Sequence, residues 1–221
     1  MTLNAFTDAK RCLDLSLKLY ETTKSVNSLQ LQKARASALH ELGRIFRYQG
    51  LFSDSKKSLM ESLNILRGLS NQREWMVQQS IADTLHELGL LELKLHNLND
   101  AESRLIESLE LRRSCSRQNI NAVNAECAST LHQLAAVHVA RKPPLLDTAK
   151  QLLLEALGLS SQIGQRAATL KQLARVTMRQ GTDFELAESY LEQALELYVE
   201  LYGDNKLHIN IAAVKFQQVS D

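Results

Sequence analysis

The chain has 221 residues, with 26 Lys and Arg against 25 Asp and Glu, a net charge of +1. That length buries a substantial core, and the near balance of charge excludes the single-sign field of a dedicated nucleic-acid or membrane-surface binder. Aromatic residues make up 5%, with two Pro and eight Gly, a helical composition with too few turn residues for a sandwich or barrel.

The first predicted element is a helix over about 4–24, with Phe6, Ala9, Leu13, Ser16 and Leu17 on one face. The next helix opens on Ala38-Leu39-His40-Glu41-Leu42-Gly43 and continues through Ile45 and Phe46. Gly50 interrupts it, and a partner helix follows with Phe52, Ser55, Leu59, Ser62 and Leu63. The opening phrase recurs 46 residues later as Thr84-Leu85-His86-Glu87-Leu88-Gly89, followed by Leu98, Ala101, Leu105, Ser108 and Leu109. It returns as Thr130-Leu131-His132-Gln133-Leu134-Ala135. There Pro143-Pro144 lengthens the turn by two residues before Ala149, Leu153 and Ala156. A fourth copy carries Leu170, Leu173 and Ala174, then Gly181, then Ala187, Leu191 and Ala194. Phe216, Val219 and Ser220 open a last helix.

A fixed period of this size predicts a stacked array of helix A, turn, helix B. The frame places a half-unit at 4–24, units at 28–70, 72–115, 119–163 and 165–203, and a half-unit at 207–221. Small residues recur in helix A (Gly43, Gly89, Ala135, Ala174) and helix B (Ser55, Ala101, Ala149, Ala187), which lets paired axes approach closely. The array starts on a helix B and stops on a helix A, without clear polar caps, so the frame predicts a piece of a longer protein.

This spacing of Leu, small residue, then Ala-x3-Leu-x2-small resembles the tetratricopeptide repeat, whose unit is about 34 residues. The longer unit and the Leu201-Tyr202-Gly203-Asp204-Asn205 linker resemble the repeats of kinesin light chains. The resemblance implies an all-α fold, a right-handed α-solenoid of antiparallel helix pairs with about four and a half units. It also implies that helix A lines a concave groove, in a non-catalytic scaffold or adaptor that binds a peptide segment of a partner protein.

On that assignment the groove residues are those of helix A outside the Leu/Gly stripe. They are His40, Arg44, Arg47 and Tyr48; His86, Leu90, Leu93 and Lys94; His132, Ala136, Val139 and Ala140; and Lys171, Arg175, Met178 and Arg179. The ends are basic and the middle apolar. The expected ligand is therefore a peptide with an apolar centre and acidic flanks; the alternative is that the apolar residues bury against neighbouring repeats and the arginines are solvated. Kinesin light chains carry Asn pairs in this groove. Here the matching pairs are His40-Glu41, His86-Glu87, His132-Gln133 and Lys171-Gln172, so the ligand class does not carry over. A Lys/Asn/Arg clamp of the chaperone-binding kind is not found.

The ladder His40, His86, His132 is not a metal site, because helices packed about 8–10 Å apart cannot bring all three to ligand distance. Each is expected to be a repeated surface residue able to titrate near pH 6.5. No phosphate-binding, nucleophile-elbow or zinc-protease motif occurs, and no cofactor, nucleic acid or membrane partner is expected. Glu102 with Arg104 and Glu107 with Arg112 read as solvated pairs. Trp75 is expected to anchor packing. Cys12, Cys115 and Cys127 form no CxxC pair and read as reduced thiols; with no signal peptide, this points to the cytoplasm. Two other roles stay open: a regulatory segment of a larger enzyme or NTPase, and self-association through the uncapped ends.

Overall fold

The computed structural model of the protein describes residues 11, 13, 15, 16, 18, 29–69, 75–115 and 120–203. The five isolated positions are helical. Eight helices follow: α1 (Leu29–Tyr48), α2 (Phe52–Leu69), α3 (Trp75–Lys94), α4 (Leu98–Ser114), α5 (Ile120–Ala140), α6 (Leu146–Leu159), α7 (Ile163–Gln180) and α8 (Phe184–Tyr202). No strand occurs among the described residues. The fold is all-α and helical-repeat. The expected half-unit at 207–221 lies outside the described residues, as does most of that at 4–24. The chain divides after Cys115 into two compact units, each holding two helix pairs.

In the first unit α1 packs on α2 and α3 on α4, and α2 packs in turn on α3. The closest contact in each pair is a glycine under a leucine. A methyl group on Gly43 would meet Leu59 Cγ at 2.5 Å, and one on Gly89 would meet Leu105 Cγ at 2.6 Å. Serine hydroxyls of the second helix then reach backbone carbonyls of the first. Ser55 Oγ donates to Gly43 O, Ser62 Oγ to Ala36 O and Ser108 Oγ to Ala82 O, each at 2.7 Å. Because the later residue bonds the earlier carbonyl, the paired helices run antiparallel. A helical carbonyl has a second lone pair for this bond, so a buried hydroxyl is satisfied without breaking the helix. Leu59, Leu63, Leu66, Leu85, Leu88 and Leu91 fill the space between the pairs.

The turns repeat as well. Leu51 N–H bonds Phe46 O at 2.8 Å, and Gly50, at φ 76°, lies in the left-handed region. One period later Asn97 N–H bonds Glu92 O at 2.9 Å, but the left-handed position is held by His96, at φ 60°. Both close their helix with a six-to-one bond, and only the first has the residue that adopts this backbone freely.

In the second unit α5 packs on α6, α7 on α8, and α6 on α7. The contact chemistry changes from glycine and serine to alanine: Ala135, Ala149, Leu153, Leu173 and Val176 form one core cluster. Ala167, Ala174, Leu191 and Tyr198 form another. The turn over residues 141–145 is two residues longer than that over 49–51, as Pro143-Pro144 predicts. Asp183 caps α8, accepting from Leu186 N–H at 2.9 Å.

Two side-chain expectations change. Trp75 is 41% exposed and so does not anchor packing. Glu107 pairs with Arg67 at 2.6 Å, and Arg112 is buried, pairing with Asp83 at 2.8 Å. Both changes follow from which helix packs alongside, which period alone does not encode. Cys115, half-buried, and Cys127, buried, are free thiols.

Two substitutions test the packing with opposite signs. Gly89→Ala should lower stability by about 1–2 kcal/mol, because overpacking against Leu105 outweighs the gain in helix propensity. His96→Gly should raise it by about 1 kcal/mol by relieving the left-handed backbone. Urea denaturation followed by circular dichroism measures both, and a stabilised Gly89→Ala would contradict the close approach.

Candidate functional site

The expected groove residues of the first unit gather on α1 and α3 around an acid, Glu87. Arg47 Nη2 lies 2.8 Å from Glu87 Oε2, and its Nε donates to the same oxygen at 3.0 Å. Arg44 Nε lies 3.3 Å from Glu87 Oε1, and Arg44 Nη1 donates to both oxygens of Glu41 at 3.1 Å. The Arg47 side chain is only 12% exposed and stacks 4.6 Å over the Tyr48 ring, itself exposed. The two arginines expected to present free positive charge are thus met by two carboxylates on the same surface.

The histidines bridge rather than project. His40 Nδ1 lies 3.1 Å from Thr84 Oγ1, and Thr84 Oγ1 donates to Ser80 O at 2.8 Å. The hydroxyl hydrogen is committed, so Thr84 must accept and His40 Nδ1 must donate. Nε2 then carries the lone pair. The second unit repeats the rung: His132 Nδ1 lies 3.4 Å from Thr169 Oγ1, which donates to Gln165 O at 2.9 Å. His86 is buried on α3.

The remaining expected residues of the first unit lie on α3, where Leu90 and Leu93 are half-buried and Lys94 is exposed. In the second unit Ala136, Val139 and Ala140 are half-buried on α5, with Val139 against the core. Lys171, Arg175 and Arg179 stand at one-turn steps on α7, the first half-buried and the others exposed. Met178 is half-buried. Lys171 Nζ lies 5.9 Å from the centroid of the Tyr198 ring, and Arg175 Nη1 donates to Gln172 at 3.2 Å. Among the described residues no carboxylate pairs with any of these three cations. Burial, then the charge of Arg175, lowers the pKa of Lys171.

Sequence reasoning missed the acids that organise the first unit. Glu87 was readable as a groove position but not as the partner of Arg47, forty residues away. Glu92 is buried with Lys56 Nζ at 2.7 Å and Asn97 Nδ2 at 2.7 Å. Burial alone would raise its pKa, but these hydrogen bonds and the charges of Lys56 and Arg104 hold it below the usual value. A signal existed in the shared 46-residue register of the phrase, which puts Glu41 and Glu87 at equivalent places. Among the described residues no group of three or more His, Cys, Asp or Glu is placed to hold a metal ion. Nor is any helix there long and apolar enough to cross a membrane.

The three ladder histidines are held below the ordinary histidine value of 6.5. Burial lowers His40 and His132. It lowers His86 to about 3, helped by the nearby charges of Arg112, Arg47 and His40. Between pH 6.5 and 3 the unfolded chain therefore binds a proton at His86 that the folded chain refuses. Stability is fully present above pH 6.5 and falls as pH drops through that window. The slope is on the order of 1 kcal/mol per pH unit. Melting curves from pH 7 to 5 should show it, and His86→Leu should flatten it; an unchanged slope in the variant would place the acid sensitivity elsewhere.

The tetratricopeptide repeat family model matches residues 166–205, the α7–α8 pair. No curated protein sequence matches the chain. Among solved structures, BtubC (BKLC) from P. vanneervenii aligns with a TM-score of 0.69 at 15% identity, covering 99% of this chain and 85% of that one. A Podosopora anserina protein described as a kinesin light chain, with nearly identical TPR-like repeats, aligns with a TM-score of 0.59 at 16% identity, covering 88% and 89%. MamA aligns with a TM-score of 0.58 at 16% identity, covering 91% and 97%. With its Leu/small-residue helix pairs, its repeated turns and these likenesses, the chain has the tetratricopeptide-type helical-repeat fold, including likeness to the repeats of kinesin light chains.

Proposed function

We propose that the chain is a non-catalytic scaffold that docks a peptide segment of a partner protein on its first-helix (A) surfaces. The repeat fold supports this coarse reading, since arrays of this kind present extended surfaces rather than enclosed reaction pockets. The observation that carries the finer reading is the contrast in charge between the units. Arg44 and Arg47 have carboxylate partners within the fold, whereas Lys171, Arg175 and Arg179 have none among the described residues. Like charges held at one-turn spacing repel, and an acidic side chain laid across them relieves that repulsion. The acidic flank of the ligand therefore belongs on α7, and the expected second acidic contact at Arg44 and Arg47 is not supported.

Peptides selected by display against the protein provide the ligands for a test. Fluorescence polarisation should show roughly tenfold weaker binding for the Arg175→Glu/Arg179→Glu double variant, with affinity falling as salt rises. Arg47→Glu is a poor probe, since it sets two carboxylates together and disturbs the fold. Unchanged affinity in the double variant would overturn the assignment to α7.

A further inference from the structure

The second residue after the first leucine of the repeated phrase differs between the two units. It is Glu41 and Glu87 in the first, and Gln133 and Gln172 in the second. On α1, both oxygens of Glu41 accept from Arg44 Nη1, three residues on, at 3.1 Å. On α7, Gln172 Oε1 accepts from Arg175 Nη1, also three residues on, at 3.2 Å. These are the same pair in the register of the phrase: Gln172 stands where Glu41 does, and Arg175 where Arg44 does. The geometry is kept and one negative charge is lost. In the first unit Glu87 adds a second carboxylate, 3.3 Å from Arg44 Nε and 2.8 Å from Arg47 Nη2, with the side chains of Glu87 and Arg47 each 12% exposed. On α7, Gln172 keeps Nε2 as a donor, so Lys171, Gln172, Arg175 and Arg179 all offer donors. Among the described residues none of these four meets a carboxylate.

We propose that this position is the charge selector of the array. Glutamate at 41 and 87 reserves the first unit's arginines for the fold, and glutamine at 172 leaves Arg175 open to the carboxylates of an acidic partner segment. A carboxylate three residues from Arg175 would take up the guanidinium in the planar two-bond geometry that a ligand carboxylate uses, and would repel that ligand as well. A carboxamide of the same shape does neither. Helix stability alone would favour the acid here, since glutamate at 172 would offset the repulsion between Lys171 and Arg175. The neutral residue therefore gives up a stabilising pair and keeps the surface positive, the kind of local exception that marks a working site. The inference rests on the scaffold reading, which it deepens by naming the residue that decides which unit takes an acidic ligand.

The test uses the whole chain at low ionic strength and fluorescence polarisation of labelled hexaglutamate, with hexaglutamine as the uncharged control. The wild-type chain should bind the first and not the second. Gln172→Glu should weaken binding roughly tenfold. Gln172→Ala, which removes the same hydrogen bond without adding charge, should stay within about twofold of wild type. The converse exchange is read in an Arg175→Gln/Arg179→Gln background, where α7 is neutralised. There Glu41→Gln/Glu87→Gln should restore binding through Arg44 and Arg47. Thermal melting confirms folding; where the double exchange unfolds the chain, Glu41→Gln alone, which keeps Glu87 on Arg47, should restore a smaller part. Unchanged affinity in Gln172→Glu, equal weakening by Gln172→Ala, or no gain in the folded converse variant would overturn the selector. If Arg175→Gln/Arg179→Gln weakens binding while Gln172→Glu does not, only the selector falls and the assignment to α7 stands. If the wild-type chain does not bind hexaglutamate, both fall.

Discussion

The fold depends on how closely the first helix of each pair lies on the second. In the first unit that distance is set by a glycine beneath a leucine, at Gly43 with Leu59 and at Gly89 with Leu105. The serine bonds to Gly43, Ala36 and Ala82 carbonyls become possible only at that separation. Hydrophobic burial and polar satisfaction are therefore consequences of one steric allowance. The second unit reaches a comparable packing with alanine at Ala135 and Ala174, each nearly inaccessible to solvent. It is on the alanine version, at 166–205, that the family model matches.

Most of this architecture was legible in the sequence. The phrase around Leu39, Leu85, Leu131 and Leu170 gave the period, and the period gave the helix pairs. Gly50 marked a turn correctly. The equivalent turn at His96 follows by register, although nothing about histidine announces a left-handed backbone. The groove was less legible. Identity of side chains told which residues stand on the helix A surface but not which of them answer one another. Arg47 is read as free until Glu87 is brought to it, and Trp75 as buried until its surroundings are known. Long-range pairing of charged tips depends on side-chain reach across two helices, and a one-dimensional period is blind to that.

The histidine ladder shows the same division in finer detail. Its spacing was visible, and so was its unsuitability for a metal. Its chemistry was not, because the partner threonine sits in the next copy of the phrase, one residue before the leucine. Once His40 meets Thr84 and His132 meets Thr169, burial holds both imidazoles below the pKa of an isolated one.

That rung also determines where a proton rests. Thr84 spends its own hydrogen on Ser80 O, so it can address His40 only as an acceptor, and the imidazole has no freedom to choose its tautomer. A valine, equal in shape, would pack as well and return the choice. The hydroxyl thus works as a polarity key: one helix dictates which nitrogen of its neighbour's imidazole is left as the acceptor, at His40 and again at His132.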